Sequence, residues 1–339
     1  MTPKRVIIPV FVPHAGCPND CVFCNQRRIS GAHRPADEKD VVAAIESAKG
    51  KFRPETAAEL AFYGGSFTAI PAEEQERLLR AALPFVRSGE ISSIRLSTRP
   101  DCIDEEIIDR LLYFGVTTVE LGAQSMSPEV LAASNRGHTA EDTRRAARLL
   151  KEKGFSLILQ MMTGLPEDTP ERSLYTASEL IKLEPDGVRI YPTVIVRDTE
   201  LYDMWKRGEY REHTVRDAVE LCAEIVPMFL SNGIPVIRLG LNPTDDLSGG
   251  DAAAGAYHPA FGELVYSEIY RRSAAELLKN TKRGTDVVLG VARGKTSLMV
   301  GQRRCNIVSL KEQFSLRSLK VRETDVPDGD IKILSIEKG

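Results

Sequence analysis

No stretch of this 339-residue chain is apolar for long enough to cross a bilayer. The apolar run nearest the start, Val6 to Val12, contains Pro9 and leads straight into cysteines, with no signal-peptide cleavage pattern behind it. A cytoplasmic protein without a membrane partner is therefore expected. Charge of one sign is missing too. The net value is −3, so nothing draws the whole surface to nucleic acid or anionic lipid. Internal repeats and low-complexity tracts are absent. With 42% apolar and 27% charged residues, the composition is that of a folded globular protein. The length allows one large domain with an appendage, or two domains. Six cysteines are too few for a disulfide scaffold in a chain of this size.

Strand-like and helix-like segments alternate up to about residue 240. Strands are expected at 6–12, 59–63, 93–97, 117–121, 156–161, 187–191 and 235–238. Helices are expected at 37–49, 71–86, 104–113 (with Asp104 as cap), 128–133, 140–153, 170–182 and 214–231. Near-continuous apolar strands separated by helices imply a parallel sheet covered by helices. The number of units predicts an α/β fold, a partial (β/α)6 TIM-like barrel occupying 1–240. Residues 241–260, rich in Gly, Asp, Ala and Pro, read as a boundary loop. Residues 261–339 read as a small C-terminal α/β substrate-binding module, with a helix at 262–279 and strands at 287–291 and 297–300.

Three of the six cysteines fall within eight residues: Cys17, Cys21 and Cys24, in HAGCPNDCVFCNQ. Cys102, Cys222 and Cys305 are scattered and read as small buried hydrophobes or idle thiols. Three thiolates on one loop can hold three corners of a [4Fe–4S] cubane and leave the fourth iron without a protein ligand. The amino and carboxylate groups of S-adenosylmethionine can chelate that iron. An electron passed to the sulfonium then releases methionine and a 5′-deoxyadenosyl radical. On the cysteines alone a structural zinc stays open, with His14 or His33 as fourth ligand. The position of the loop after a first strand, without a paired CxxC knuckle, weighs against zinc.

CxxxC-x-aromatic-C after a first strand resembles the radical S-adenosylmethionine superfamily, with Phe23 as the aromatic. The ordered segments FYGGSFT (62–68), STRPD (97–101), ELGAQS (120–125), NRGHT (135–139), MMTGLPEDT (161–169) and RIYPTVIVRDTELYDMWKRGEY (189–210) resemble the elongator catalytic subunit family over roughly residues 5–260. That family modifies the wobble uridine of tRNA. Its members carry an acetyltransferase domain after the radical domain. These 339 residues hold none, so a branch without that domain is expected and the group added stays open.

The resemblance implies roles along the strand ends. Gly64 and Gly65, with Ser66 where many members carry an acid, would take the amino group of S-adenosylmethionine. Ser97 or Thr98 would bond its ribose, Arg99 would pair with its carboxylate, and Gln124 would bond either. Met162, Gly164 and Leu165 would cradle adenine. Glu120 would face the barrel interior as a ligand contact or as half of an ion pair. Arg136, His138, Tyr191 and His258 are candidate catalytic or substrate residues. A lone histidine on a polar loop, such as His138, is expected to be exposed.

Gly290–Thr296 superficially resembles a phosphate-binding loop, but three residues separate its glycines where four are needed, so triphosphate binding is not expected. Residues 261–310 carry nine Lys or Arg against four Asp or Glu. Arg271, Arg272, Lys282, Arg303 and Arg304 are candidate RNA contacts on that basis, with tRNA as first candidate. A solvated, acid-balanced face is the bland alternative. An external electron donor such as flavodoxin or ferredoxin is implied. A small-molecule substrate, such as a porphyrin precursor, and a noncatalytic RNA-binding or scaffold role with a structural metal remain open from sequence.

Overall fold

A computed structural model describes residues 5–12, 19–25, 34, 36–51, 56–241 and 250–337. Cys17 of the cysteine motif, and His14 and His33, lie outside the described residues. By internal contacts the chain divides into two compact units: 1–214 with 228–257, and 215–227 with 258–339.

The first unit is built on seven parallel strands. These are β1 (Arg5–Phe11), β2 (Ala57–Tyr63), β3 (Ser93–Thr98), β4 (Val116–Gln124), β5 (Ser156–Thr163), β6 (Gly187–Pro192) and, after the short β7 (Val194–Val196), β8 (Val236–Leu239). Their order in the sheet is β1-β2-β3-β4-β5-β6-β8, every neighbouring pair parallel. Sequential order with helical crossovers curls the sheet into the half-barrel expected from sequence. Alternation along each strand sorts the side chains. On β2, Leu60 and Phe62 are fully buried under the helices, while Glu59 and Tyr63 belong to the opposite, interior set.

The crossover helices begin where their caps dictate. Asp37 opens α1 (Glu38–Ala48) with a capping box closed by Asp40. Helix α2 (Ala72–Arg87) follows Pro71. Asp104 accepts the Ile107 amide at the start of α3 (Glu105–Tyr113), as expected. After α4 (Pro128–Ala133), Thr139 and Asp142 form a second capping box on α5 (Ala140–Glu152), and Thr169 caps α6 (Pro170–Ile181). Helices α7 (Glu200–Lys206) and α8 (Val215–Ser231) follow. The expected boundary loop contains a short strand. Its residues 252–255 form β9, which pairs antiparallel with β7.

The second unit has a three-stranded sheet. Strand β10 (Asp286–Val291) lies between a parallel neighbour, β11 (Ser318–Glu323), and an antiparallel one, β12 (Ile331–Glu337). Helix α9 (Phe261–Leu278) and α11 (Cys305–Gln313) supply Tyr270, Ala274, Ile307 and Leu310 to a core shared with Val287, Leu289 and Leu319. The strand expected at 297–300 is instead the end of a short helix, α10 (Thr296–Val300). Four residues carry too little periodicity to separate a strand from one buried helical turn, and here only Met299 is fully buried.

Candidate active site

A cavity of about 610 Å³ opens inside the half-barrel, lined by β1 to β6 and by the cysteine loop. Most of the residues expected from sequence meet there. Cys21, Phe23 and Cys24 come from the loop after β1; Gly64, Gly65 and Ser66 follow β2; Ser97, Thr98 and Arg99 end β3. Glu120 and Gln124 lie on β4, Arg136 after α4, Met162 on β5 and Tyr191 on β6. Parallel strands bring their C-terminal ends to one side, so seven separate sequence motifs converge.

The described part of the cysteine loop is held from three directions. Cys24 donates its amide to Cys21 O (2.9 Å), closing a turn that sets the two thiols on one wall. Val22 donates to Ser134 O (3.2 Å) and accepts from Leu201 N (2.7 Å). Val22 also packs with Ile195, Leu201 and Tyr210. Arg136 donates from Nη1 to Cys21 Sγ (3.3 Å) and from Nη2 to Gly122 O (2.7 Å).

Beyond the loop, hydroxyls bind the ends of β2 and β3 together. Thr98 Oγ1 lies 2.9 Å from Ser66 Oγ and 2.5 Å from Thr68 Oγ1, and Arg99 donates its amide to Ser66 Oγ (3.1 Å). The Arg99 guanidinium grips Asp101 with two bonds of 2.9 Å and donates to Arg136 O (2.6 Å). Sequence assigned Arg99 to the carboxylate of S-adenosylmethionine; within the protein its carboxylate partner is Asp101, two residues away. Gln124 sits at a bulge where β4 shifts register against β5, with φ of 63°. Its Oε1 is buried with no hydrogen-bond partner among the described residues. A buried amide oxygen without a donor is costly, so a ligand donor belongs there.

The cavity floor is a chain of alternating charges, of which sequence singled out only Glu120, as a ligand contact or half of an ion pair. Glu59 pairs with Arg95 (2.7 Å), Arg95 with Glu120 (2.9 Å), and Glu120 with Arg189 (2.7 Å). Ser93 and Thr118 donate to Glu59 (3.0 and 3.3 Å). The Tyr63 hydroxyl donates to Glu120 Oε1 (3.0 Å) and accepts from Arg189 Nη2 (3.1 Å). Burial, and then the Glu120 charge, push the Tyr63 phenol well above its ordinary value, so it stays a donor. Burial likewise raises the Tyr191 phenol. For Arg189 burial is the largest single influence and opposes the charge, but Glu120, Tyr191 and Tyr63 together outweigh it and raise its pKa. Four buried charges of balanced sign are tolerable because each has a partner.

Other expected residues lie elsewhere. Gly164 and Leu165 follow β5 but do not line the cavity. Gly164 is held by Asp168, which accepts its amide (2.7 Å), and by the Tyr210 hydroxyl, which donates to its carbonyl (2.5 Å). His213 lies against it. None of Asp168, Tyr210 and His213 was singled out from sequence, since nothing local links 210–213 to 164. His138 is not on the surface, as its loop position had implied. It is only 4% exposed, with Nε2 at 3.2 Å from Ala123 O. Burial first, then Arg136 and Arg99, lower its pKa to about 4. His258 belongs to the second unit, where its Nδ1 accepts the Ala260 amide (3.1 Å) beside the start of α9.

The basic set of the second unit divides. Arg271 and Arg272 share Glu268 on their own helix, and Arg272 also pairs with Glu224. Lys282, Arg303 and Arg304 are exposed, and none forms an ion pair among the described residues. No helix among the described residues is long and apolar enough to cross a membrane.

Residues 11–180 match the radical SAM superfamily and residues 185–271 match the radical SAM C-terminal domain. The chain belongs to the radical SAM superfamily. It is similar to the tRNA uridine(34) acetyltransferase of Methanocaldococcus jannaschii, 34% identical over 199 residues, covering 53% of this chain and 37% of that protein. It is also similar to Elongator complex protein 3 of Mus musculus, 33% identical over 192 residues, covering 50% and 35%. Among solved structures it resembles Methanocaldococcus infernus Elp3 with an N-terminal deletion, with a TM-score of 0.63 and 26% identity over 80% of this chain and 64% of that one. This radical SAM chain thus resembles an elongator-like branch, while spanning well under two thirds of the curated relatives' own length. Membership implies a [4Fe–4S] cluster and S-adenosylmethionine. The residues present suit both. Two thiols line the cavity beside a guanidinium, and the residue that carries the orphaned amide oxygen, Gln124, lines the same cavity.

Proposed function

We propose that this protein is a radical SAM enzyme that modifies RNA, with tRNA the first candidate. Cys17, Cys21 and Cys24 would hold the cluster, leaving one iron open for S-adenosylmethionine. When bound, the pair supplies a 5′-deoxyadenosyl radical through one-electron reductive cleavage. Gln124 and the Ser66–Thr98 hydroxyls would orient the cofactor, Met162 would pack on its adenine, and Arg99 would bond its carboxylate while keeping Asp101. Tyr63, Glu120, Arg189 and Tyr191 close the floor, order its donors and exclude bulk water from the radical. The convergence of Cys21, Cys24 and Gln124 on one cavity carries this reading. The names of the relatives support the RNA substrate, as do the exposed Lys282, Arg303 and Arg304. Cytoplasmic residence and a flavodoxin- or ferredoxin-type donor belong to the same proposal.

Anaerobic reconstitution with iron, sulfide, dithionite and S-adenosylmethionine tests the chemistry. Formation of 5′-deoxyadenosine by the protein, and its loss in Cys21→Ala and Cys24→Ala, is expected. Absence of the product from the wild-type protein overturns the catalytic reading. Comparison of modified nucleosides in RNA from deletion and parental cells tests the substrate. Identical nucleoside profiles would remove the RNA assignment.

A further inference from the structure

The second unit carries a motif that the cavity does not use. Between the parallel neighbours β10 and β11 the chain forms two helices, α10 and α11, joined by Gly301-Gln302-Arg303-Arg304. Strand β12 completes the sheet antiparallel to β10. Helices α9, α10 and α11 share one core with the sheet, through Tyr270, Met299 and Ile307. A strand–helix–turn–helix–strand unit with a short glycine-led turn between its helices is the core of the KH module. In that module the turn clamps the backbone of about four nucleotides of RNA.

The turn is fixed in shape and open to solvent. Gly301 has φ of 75° and ψ of 161°, a conformation essentially reserved for glycine, and a β-carbon there would lie 2.6 Å from Cys305 Sγ. Arg303 and Arg304 follow in the left-handed region, with φ of 51° and 64°. The KH turn has a second glycine at its fourth position, and here Arg304 adopts the conformation that glycine would supply. Two consecutive non-glycine residues in that region are costly and persist only where the surroundings enforce them. Asn306 does so. It is 4% exposed, and its Nδ2 donates to Ser267 O (2.9 Å), Ser267 Oγ (3.0 Å) and Leu298 O (3.3 Å), tying the start of α11 to α9 and α10.

Gln302, Arg303 and Arg304 are exposed, and neither arginine forms an ion pair among the described residues. One turn along α11, Val308 is 51% exposed. Cations for phosphate beside an apolar group for a base suit an unstacked nucleotide. A duplex keeps its bases stacked and can use only the cations.

We infer that the turn 301–304, together with Val308, is a clamp for single-stranded RNA. The inference deepens the RNA reading proposed above and rests on it, naming the part of the chain that takes the RNA and the form it takes. Arg303 and Arg304 meet the phosphates, Gly301 lets the strand approach the backbone, and a base packs on Val308. Lys282 is outside the clamp. Its loop lies at the other end of α11, where Gly284 donates its amide to Ser315 O (2.9 Å).

The test is fluorescence anisotropy of the full chain with a labelled, sequence-randomised single-stranded RNA of about eight nucleotides, and with a blunt RNA duplex. Tm is recorded for every variant. Gln302→Asp with Arg303→Asp should weaken single-strand binding by about tenfold or more at unchanged Tm, and Lys282→Asp by less than about twofold. Arg304→Gly and Arg304→Val remove the same charge, but only glycine keeps the left-handed turn. Arg304→Gly should therefore bind within about threefold of wild type, and Arg304→Val more weakly than that. Equal losses in these two would leave only a diffuse cationic patch and overturn the inference. So would a duplex bound as tightly as the single strand. If Arg304→Val fails to fold, the aspartate pair decides: loss of single-strand binding beyond that of Lys282→Asp supports the clamp, and equal binding overturns it. A wild-type protein that binds neither RNA defeats the RNA reading as a whole, whereas one that binds the duplex alone spares that reading and defeats only the clamp.

Discussion

A β-carbon added to Gly164 would stand 2.2 Å from Cγ of His213. The two residues are 49 apart in sequence, yet the histidine ring occupies the space that any side chain at 164 would need. Gly164 also has φ of 74°, and its amide and carbonyl are bonded to Asp168 and Tyr210. The turn after β5 is therefore clamped from outside the cavity.

Gly164→Ala should lower Tm, with about 1–3 kcal/mol lost to the left-handed backbone alone. The clash with His213 adds to this. Gly164→Ala combined with His213→Gly, which also removes the His213 Cβ lying 2.4 Å away, should recover the steric part but not the backbone part. Equal thermal shifts for the single and double variants would show that the ring yields freely.

Glu120→Gln should cost about 3–5 kcal/mol in urea denaturation, because Arg95 and Arg189 then share only Glu59's charge through one of them. Glu120→Gln with Arg189→Met removes the stranded cation and should be less destabilised than Glu120→Gln. A double variant worse than the single would mean that the ion pair matters less than the packing of Arg189.

Stability should fall on mild acidification through His138. Its folded pKa, lowered to about 4 by burial and then by Arg136 and Arg99, lies below the unfolded value near 6.5. The unfolded chain therefore binds the extra proton between these values. The contribution is complete above pH 6.5 and is lost as pH falls towards 4, by about 3 kcal/mol. Denaturation of wild type and His138→Gln at pH 7 and pH 5 isolates it, since other groups titrate in both. A parallel pH response in the two proteins would mean that His138 titrates normally.

Charge reversal in the second unit should separate structural from surface cations. Arg271→Glu breaks pairing with Glu268 and should lower Tm. Arg303→Glu with Arg304→Glu should leave Tm nearly unchanged and weaken RNA retention, reducing the slope of log affinity against log salt by about 2. Filter binding at several salt concentrations reads this directly. An unaltered slope would take Arg303 and Arg304 off the RNA surface.

The half-barrel was legible because its strands are continuous apolar runs and its helices announce their starts, as at Asp104. The convergence of motifs was legible for the same reason: parallel strands put their ends together. The charged floor left a trace that was overlooked. Arg95 stands between Ile94 and Leu96, and Arg189 between Val188 and Ile190, polar residues on the inward phase of otherwise apolar strands. Other facts had no local signal. Arg272 finds Glu224 48 residues away, and His138 is buried by elements that its own loop does not reveal. Short segments such as 297–300, and the strands β9, β11 and β12, lacked the length or apolar continuity to stand out.

The floor also limits how the cavity can change over generations. Glu59, Arg95, Glu120 and Arg189 are links of one chain across β2, β3, β4 and β6, each neutralised by the next. Substituting Arg95 strands Glu59 and substituting Glu120 strands Arg189, so single steps at these inner links pass through a poorly folded protein. Variation there should come in compensating pairs, while Met162, an uncharged lining residue that holds no part of that balance, is free to be exchanged on its own as the substrate demands.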